Sequence, residues 1–184
     1  MRFSENRKIA FAVLAVCVLV SVFGLGGLGL SRERNKVLTV YDRGADTTMS
    51  TRHSMDAYLD SAAESARLMV AEAQLHMDAS EIIDNVDGLA ETVAKSADTN
   101  ERYEAYSALK TAVDKLYNSM YEAAKGDAFK NFKVAYDDFW GYDDMIRHDS
   151  YSKLAAGYNR LISGFPGSLI AGVTGQSALN TFEG

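Results

Sequence analysis

Residues 9–30 form an apolar run, IAFAVLAVCVLVSVFGLGGLGL, in which no side chain is charged. An α-helix of these 22 residues is about 33 Å long at ~1.5 Å per residue, which is enough to cross the hydrocarbon core of a membrane. A cleavable signal peptide has a shorter apolar region and a small-residue cleavage site, and no such site follows Leu30. We therefore predict a short basic tail at residues 1–8 and an uncleaved membrane-spanning helix at residues 9–30.

Apolar residues beyond the span recur three or four positions apart, the spacing that one buried face of a helix requires. The first face lies in an alanine-rich stretch and comprises Met55, Leu59, Ala62, Ala66, Met69 and Ala73. Two further faces comprise Ile82, Val86, Leu89 and Val93, and then Tyr106, Leu109, Val113, Leu116, Met120 and Ala124. A fourth face, interrupted at Asp143 and Ser150, comprises Phe129, Phe132, Tyr136, Phe139, Ile146, Leu154, Tyr158, Leu161 and Phe165. No stretch alternates apolar and polar residues as strands do.

Polar residues at fixed distances before glutamates indicate where the helices begin. Asp78 precedes Glu81, and Asp98 precedes Glu101, by the three positions of a capping box. Both aspartates are therefore predicted N-caps. Residues 125–127, Lys-Gly-Asp, combine a helix stop with the start of the next helix.

The chain is predicted to be all-α, with a single N-terminal transmembrane helix that continues into an antiparallel bundle of about four helices. The bundle is expected to occupy residues 31–165, and an apolar C-terminal tail is expected at residues 166–184. The last bundle helix is expected to run unbroken from about residue 127 to residue 163. Pro166 then prevents its continuation, because proline has no N–H to donate to the helix ladder.

The tail carries a short apolar segment, SLIAGV, at residues 168–173. Six residues are too few to span a membrane, so this segment must pack on the bundle, on a neighbouring subunit or at the membrane surface. Phe165 is expected to close the bundle core. The tail beyond it is expected to contribute more to assembly than to folding.

Charge is distributed unevenly along the chain. The net charge is −6, but residues 1–30 carry +2, so the remaining 154 residues carry −8. An acidic domain repels phosphates, which argues against nucleic acid as a partner. Basic residues flank the span equally on both sides, and the short basic N-terminus favours a cytoplasmic start with the acidic domain outside the cell (inner) membrane.

Four glycines close the apolar run and match the dinucleotide-binding pattern G-x-G-x-x-G: Gly24, Gly26, Gly27 and Gly29. That chemistry needs a preceding strand and a following helix, and here the glycines lie inside a predicted membrane helix. Their i,i+3 spacing instead predicts small faces at which another transmembrane helix packs closely. We predict no bound cofactor.

Candidate catalytic and metal-binding residues are few. The three histidines, His53, His76 and His148, are scattered, and only Glu72–His76 and Asp144–His148 have i,i+4 spacing. Such isolated pairs are more typical of surface histidines than of a metal site. The single cysteine, Cys17, lies in the span and excludes an internal disulfide, and no G-x-S-x-G motif is present. We predict that the protein is not an enzyme.

The segment YDDFWGYDD, residues 136–144, has two interpretations. Its aspartate pairs and aromatic rings could form a surface that binds a cationic ligand. The favoured interpretation is an amphipathic helix with rings inward and carboxylates in water, because the spacing follows a 3.6-residue period.

Residues 146–175, IRHDSYSKLAAGYNRLISGFPGSLIAGVTG, resemble the C-terminal signature of the LemA family. In that signature a long final helix carries two tyrosines seven residues apart and ends in a YN…FP…L-A-G pattern. The matching residues are Tyr151, Tyr158, Asn159, Phe165, Pro166, Leu169, Ala171 and Gly172. The family's Arg-Arg-Tyr-Asp-Leu-Ile-Pro-Asn stretch has only a distant counterpart around Asp56, without the arginine pair and the proline. The chain is therefore identified as a divergent member.

The resemblance implies a bacterial or archaeal membrane-anchored helical bundle without established enzyme activity, and some members are linked to magnetosome membranes. Together with the residues, it favours a non-enzymatic scaffold or adaptor that self-associates and organises a membrane or a membrane-protein complex. The expected partners are membrane lipid, further copies of the chain and other membrane proteins. The alternatives are a membrane-anchored sensor that binds a small ligand between its helices and, third, a metal-dependent enzyme.

Overall fold

The computed structural model describes residues 7–45, 54–78, 80–124 and 126–182. Within these ranges the regular structure is helical and no strand is present, which confirms the predicted all-α fold. One N-terminal helix, Ile9–Arg43, is long and apolar enough to cross a membrane, and its apolar stretch is not buried by the rest of the chain except at Gly27.

From residue 55 onward, the helices follow one another through short connections. The N-terminal helix consists of α1 (Arg7–Val20), a π-helical turn (Ser21–Leu25) and α2 (Gly26–Arg43). The remaining helices are α3 (Met55–Gln74), α4 (Glu81–Lys95), α5 (Thr99–Ala123), α6 (Asp127–His148), α7 (Ser150–Ser163) and α8 (Gly167–Thr174).

The described residues separate into two compact units. One unit contains the residues up to Leu38 together with Leu154–Leu179, and the other contains Thr39–Lys153 together with the residues from Asn180 onward. The boundaries between the units fall within α2 and α7. The predicted ranges, with a bundle at residues 31–165 and a tail at residues 166–184, stay a prediction.

The larger unit is a bundle of α3, α4, α5 and α6 in which α3 packs on α4 and α6, and α4 packs on α5. Consecutive helices that pack side by side across such short connections must run in opposite directions. The alanine-rich face of α3 lies at the centre, and all six positions predicted for it are fully buried. Small side chains there allow the neighbouring helices to approach closely.

The interface between α5 and α6 is filled by aromatic rings instead. The ring of Tyr117 lies 4.1 Å from that of Tyr136 and 5.5 Å from that of Phe129, measured between centroids. The backbones of α5 and α6 approach each other less closely than those of α3 and α6. Bulky rings hold helices further apart than alanine does, so the residue type at each interface sets the spacing of the bundle.

The two predicted N-caps have different outcomes. Asp98 caps α5 as predicted, because its Oδ1 accepts hydrogen bonds from the N–H groups of Asn100 at 2.7 Å and Glu101 at 3.1 Å. The prediction for Asp78 is wrong, since α4 begins at Glu81 and Ser80 occupies the N-cap position. Asp78 lies two residues before that position, too far to serve the first turn.

The predicted face of α5 is confirmed, because all six of its positions are buried. The buried stripe of α4 comprises Ile83, Val86, Ala90 and Val93. Ile82 and Leu89, which were predicted for that stripe, are only half-buried. The buried residues keep helical spacing, but at two turns the buried residue is one position later than predicted: Ile83 in place of Ile82, and Ala90 in place of Leu89.

The predicted unbroken helix at residues 127–163 is wrong, because the chain breaks at Asp149 between α6 and α7. The Oδ1 atom of Asp149 accepts a hydrogen bond from the N–H of Tyr151 at 2.7 Å, which starts the new helix. Because of the break, the buried face of α7 does not continue the buried face of α6. Tyr151 and Ala155 are therefore buried, while Leu154 and Leu161 are 41% and 53% exposed.

The core contribution expected from Phe165 is wrong, since this side chain is 86% exposed. Phe182 is buried instead. Its ring contacts the rings of four tyrosines at centroid distances of 5.2–6.4 Å: Tyr41, Tyr103, Tyr106 and Tyr151. Its N–H donates a hydrogen bond to Ser152 Oγ at 3.0 Å. The C-terminal tail therefore supplies part of a folded core, and its expected contribution to assembly stays a prediction.

Replacing Phe182 by alanine tests this difference between the two phenylalanines. We expect Phe182→Ala to lower the free energy of unfolding by about 3 kcal/mol, because a buried ring is lost from among four others. Urea denaturation of the full chain in detergent micelles, followed through the fluorescence of Trp140 on α6, measures the change.

Phe165→Ala is the matched control, and we expect it to change the free energy of unfolding by no more than about 0.5 kcal/mol. Equal losses for the two variants would contradict the placement of Phe182 in the core.

Candidate functional site

The turn between α7 and α8 folds the end of the chain back on itself. α7 ends at Ser163 and Pro166 occupies the N-cap position of α8, in agreement with the predicted stop. Gly167 is essential to this turn, because a Cβ atom there would overlap the carbonyl group of Leu161. The N–H of Ser168 then donates to the carbonyl of Gly164 at 2.8 Å.

α8 packs against the glycines near the end of the apolar run. The Cδ1 atom of Ile170 lies 2.7 Å from the position of a Cβ on Gly26, and Cγ2 of Thr174 lies 2.7 Å from that of a Cβ on Gly27. A side chain at either position would therefore have to displace the end of the Ile170 or Thr174 side chain. We call these four residues the α8–span contact. Two of the four predicted packing glycines therefore contact α8, whereas a Cβ added at either of the other two, Gly24 and Gly29, would meet no neighbouring group within 4 Å.

A polar layer lies directly beside the α8–span contact. The side-chain amide of Gln176 donates to Ser31 Oγ at 3.1 Å, and its Oε1 accepts from the Tyr158 hydroxyl at 3.2 Å. Asn159 binds the backbone of Leu179 twice, donating to its carbonyl at 2.7 Å and accepting from its N–H at 2.9 Å. Two residues of the sequence signature therefore hold the segment that follows α8.

The remaining signature residues do not gather at one site. Tyr151 and Ala171 are buried, whereas Phe165, Pro166, Leu169 and Gly172 are exposed. The signature therefore combines packing residues with a set of exposed positions around the α7–α8 turn.

The larger unit contains a buried carboxylate, Asp143, which is 2% exposed. Its Oδ1 atom accepts a hydrogen bond from the Tyr106 hydroxyl at 2.9 Å and lies 3.6 Å from Lys110 Nζ. Arg147 Nε lies 2.9 Å from the other oxygen, Oδ2. One hydroxyl and two cations thus compensate a charge that would be costly to bury alone. Burial, followed by the nearby Asp143 carboxylate, raises the pKa of Tyr106 far above its ordinary value.

A buried cation, Arg102, lies one turn before Tyr106 on α5 and is 6% exposed. It joins α5 to α3, because Nη1 donates to Asp56 and Nη2 donates to Asp60 at 2.7 Å. Its guanidinium carbon lies 5.9 Å from the centroid of the Tyr41 ring. Within the described part of the chain, Nε of Arg102 and the Tyr41 hydroxyl have no hydrogen-bond partner.

The predicted metal and cation candidates remain dispersed. His53 lies outside the described residues, His76 is exposed, and His148 Nδ1 lies 2.8 Å from the carbonyl oxygen of Asp144. Among the described residues, no three histidine, cysteine or acidic side chains are grouped as metal ligands.

The segment at residues 136–144 lies on an amphipathic helix, in agreement with the favoured interpretation, but the expected exposure of its carboxylates is wrong for Asp143, which is 2% exposed. Phe139 and Asp143 point inward, whereas Asp137 lies at the surface and pairs with Lys133. Cys17 is exposed on α1. The two buried charges described above, Arg102 and Asp143, are each paired with more exposed side chains of opposite charge.

Three features of the structure were not predicted from the sequence: the burial of Arg102, the inward position of Asp143 and the position of Phe182 in the core. For Asp143 a signal was present, because the residue occupies a position on the apolar stripe of α6. Phe182 carried a weaker signal as the single aromatic residue after Phe165. Nothing in the local sequence marks Arg102 as buried, since its partners on α3 are more than 40 residues away.

Two tyrosine variants distinguish a partnered hydroxyl from an unpartnered one. We expect Tyr106→Phe to lower the free energy of unfolding by about 1–3 kcal/mol, because it removes a hydrogen-bond donor from the buried Asp143 carboxylate. Tyr41→Phe removes a buried hydroxyl that has no partner, so we expect no loss of stability or a small gain. Urea denaturation followed through Trp140 fluorescence measures both.

A pH titration gives an independent measurement of the same contact. The raised pKa of folded Tyr106 gives a contribution to stability that is fully present below the unfolded tyrosine pKa of about 10 and is lost as the pH rises above it. We expect Tyr106→Phe to lose less stability above about pH 10 than the unmodified chain does. An identical alkaline decline in both proteins would contradict the burial of this hydroxyl.

Comparison of the chain with protein-family models, with curated proteins and with solved structures gives no match.

Proposed function

We propose that this chain is a non-enzymatic, membrane-anchored helical scaffold or adaptor that self-associates and organises a membrane or a membrane-protein complex. The observation that carries the proposal is the apolar helix Ile9–Arg43, whose apolar stretch the rest of the chain leaves unburied. A continuous apolar surface of this size needs a cover, and a bilayer provides one for a helix of this length.

The bundle that follows agrees with a scaffolding role. Its core is filled by apolar side chains, and its buried charges, Arg102 and Asp143, are compensated by neighbouring side chains. The Arg102–Asp60 pair connects α5 to α3, and the Lys110–Asp143 pair connects α5 to α6. The resemblance of residues 146–175 to the LemA signature supports the same proposal, with the chain as a divergent member.

Orientation is part of the proposal. The span crosses the cell (inner) membrane once, with the short basic N-terminus in the cytoplasm and the acidic bundle on the other side. The basic residues of the N-terminal tail, residues 1–8, support this arrangement, because positive charge next to a first span favours retention of that end of the chain in the cytoplasm.

Self-association is proposed to use the uncovered glycines of the span. Gly26 and Gly27 are covered by α8, but a Cβ atom on Gly24 or Gly29 would meet nothing within 4 Å. Such positions allow a helix of a second copy to approach the span closely, and helix association in a membrane depends on close packing of this kind.

A small-ligand-binding role is the second candidate, and it has one observation in its favour. Nε of Arg102 and the hydroxyl of Tyr41 are buried without hydrogen-bond partners in the described part of the chain. A ligand with hydrogen-bond acceptors could satisfy these groups, whereas the scaffold proposal does not use them.

Light scattering of the full chain in detergent tests the scaffold proposal. We expect the chain to have a mass above the 20.1 kDa of one copy. Gly24→Leu combined with Gly29→Leu is expected to shift the mass towards one copy, because the added side chains block close approach of a second span.

Val13→Leu combined with Val18→Leu is the matched control, since both valines are exposed on the same helix and are already large. This control is expected to keep the mass of the unmodified chain. A single-copy mass for the unmodified chain at every concentration would refute self-association.

A further inference from the structure

α8 and the turn before it expose an apolar surface formed by Phe165, Leu169 and Val173. These side chains are 86%, 56% and 67% exposed. Leu169 and Val173 are four positions apart and therefore lie on one face of α8. The sequence around them is free of charge, because no residue from Leu161 to Phe182 is acidic, basic or histidine. We call these three side chains the α8 apolar surface.

The α8–span contact fixes the level of this surface along the N-terminal helix. Ile170 and Thr174 pack at Gly26 and Gly27, which lie four and three residues before Leu30, the last residue of the apolar run. At ~1.5 Å per residue, this contact lies about 5–6 Å inside the end of that run. α8 thus lies beside the apolar part of the helix.

The polar layer supports the same placement. Ser31 is the first residue after the apolar run, and Gln176 of the C-terminal segment binds it at 3.1 Å. The Tyr158 hydroxyl binds the same glutamine at 3.2 Å. Both segments therefore change from apolar to polar at the same level, as two segments that cross one edge of a bilayer must do.

The N–H groups at both ends of α8 also have the partners within the protein that an apolar environment requires. The N–H groups of Leu169 and Ile170 donate to the carbonyl of Pro166 at 3.1 Å and 3.2 Å. At the other end, the N–H of Gln176 donates to the carbonyl of Ala171 at 3.0 Å. The hydroxyl of Thr174, the one polar side chain at the α8–span contact, donates to the carbonyl of Ile170 at 2.8 Å.

We propose that α8 is an interfacial membrane helix, packed on the span at Gly26 and Gly27, with the α8 apolar surface in contact with the acyl chains of lipid. This inference rests on the proposed membrane anchor. Eight residues are too few to cross a bilayer, but an apolar helix of this length is suited to its edge.

Continuity with the span identifies lipid as the occupant. At the level of the contact, Leu25 and Leu28 of the N-terminal helix are 72% and 59% exposed. Lipid that covers these side chains reaches α8 at the same depth, because α8 lies against the intervening glycines. The chain thus touches the membrane through two segments that are more than 130 residues apart in sequence.

Spin labels on single cysteines of the full chain test the proposal. Cys17→Ala provides the background, since Cys17 is the only native cysteine. Leu169→Cys and Val173→Cys report on α8, Phe11→Cys reports on the span, and Tyr121→Cys reports on an exposed position of α5. The labelled proteins are reconstituted into phosphatidylcholine vesicles, and collision rates with oxygen and with an aqueous nickel chelate are measured.

We expect labels at Leu169 and Val173 to collide with the nickel chelate roughly tenfold less often than a label at Tyr121, and to remain accessible to oxygen, because oxygen concentrates in acyl chains. The same result is expected when phosphatidylglycerol replaces part of the lipid, since α8 carries no basic residue. Insertion that requires the anionic lipid would overturn the proposal.

The label at Phe11 separates failure of this proposal from failure of the membrane anchor. If Phe11 is shielded from nickel while Leu169 and Val173 are as accessible as Tyr121, the anchor stands and α8 is not in lipid. If the α8 labels are shielded from both reagents and their spectra sharpen on dilution with unlabelled chain, a second copy covers the surface instead of lipid. If Phe11 is accessible to nickel, the anchor and the proposal both fail.

Discussion

The apolar side chains of α1 are not buried by the rest of the chain and therefore require an apolar environment from outside it. This requirement determines where the N-terminal region can lie. Folding removes the apolar faces of α3, α4, α5 and α6 from water, but the apolar stretch that starts at Ile9 stays unburied. Under the proposed function a bilayer supplies the missing cover, and every segment that packs on this stretch must then tolerate the same environment. α8 meets that condition, because it is free of charge and N–H groups in its first turn are hydrogen-bonded within the chain.

The larger unit follows a different rule, in which the size and charge of side chains set the positions of the helices. Alanine on α3 permits close approach, and rings on α5 and α6 keep those two helices apart. Arg102 joins α5 to α3, while Tyr106 joins α5 to Asp143 on α6. Removing one member of such a buried polar pair leaves the other without compensation, so these contacts favour one arrangement of the bundle over others.

The helices and most of their buried faces could be predicted from the sequence, because apolar residues that recur every three or four positions indicate one face of a helix. It was insufficient where the outcome depends on distant residues. A serine after an aspartate fits the middle of a polar helix surface, so the break at Asp149 was not predicted. Phe182 is buried because a gap among four tyrosines accepts it, and that gap exists only in the folded chain. The glycines of the span were recognised as packing positions, but the sequence could not show that α8 covers two of them.

Membrane extraction tests the central claim, that the apolar N-terminal helix is inserted in a bilayer. Membranes from cells that express the full chain are washed with high salt and then with urea, and finally treated with detergent. The account predicts that the chain stays in the membrane pellet through both washes and is released only by detergent, because an inserted apolar helix is held by the hydrophobic effect rather than by surface charge. Release of the chain by salt or urea alone would contradict it.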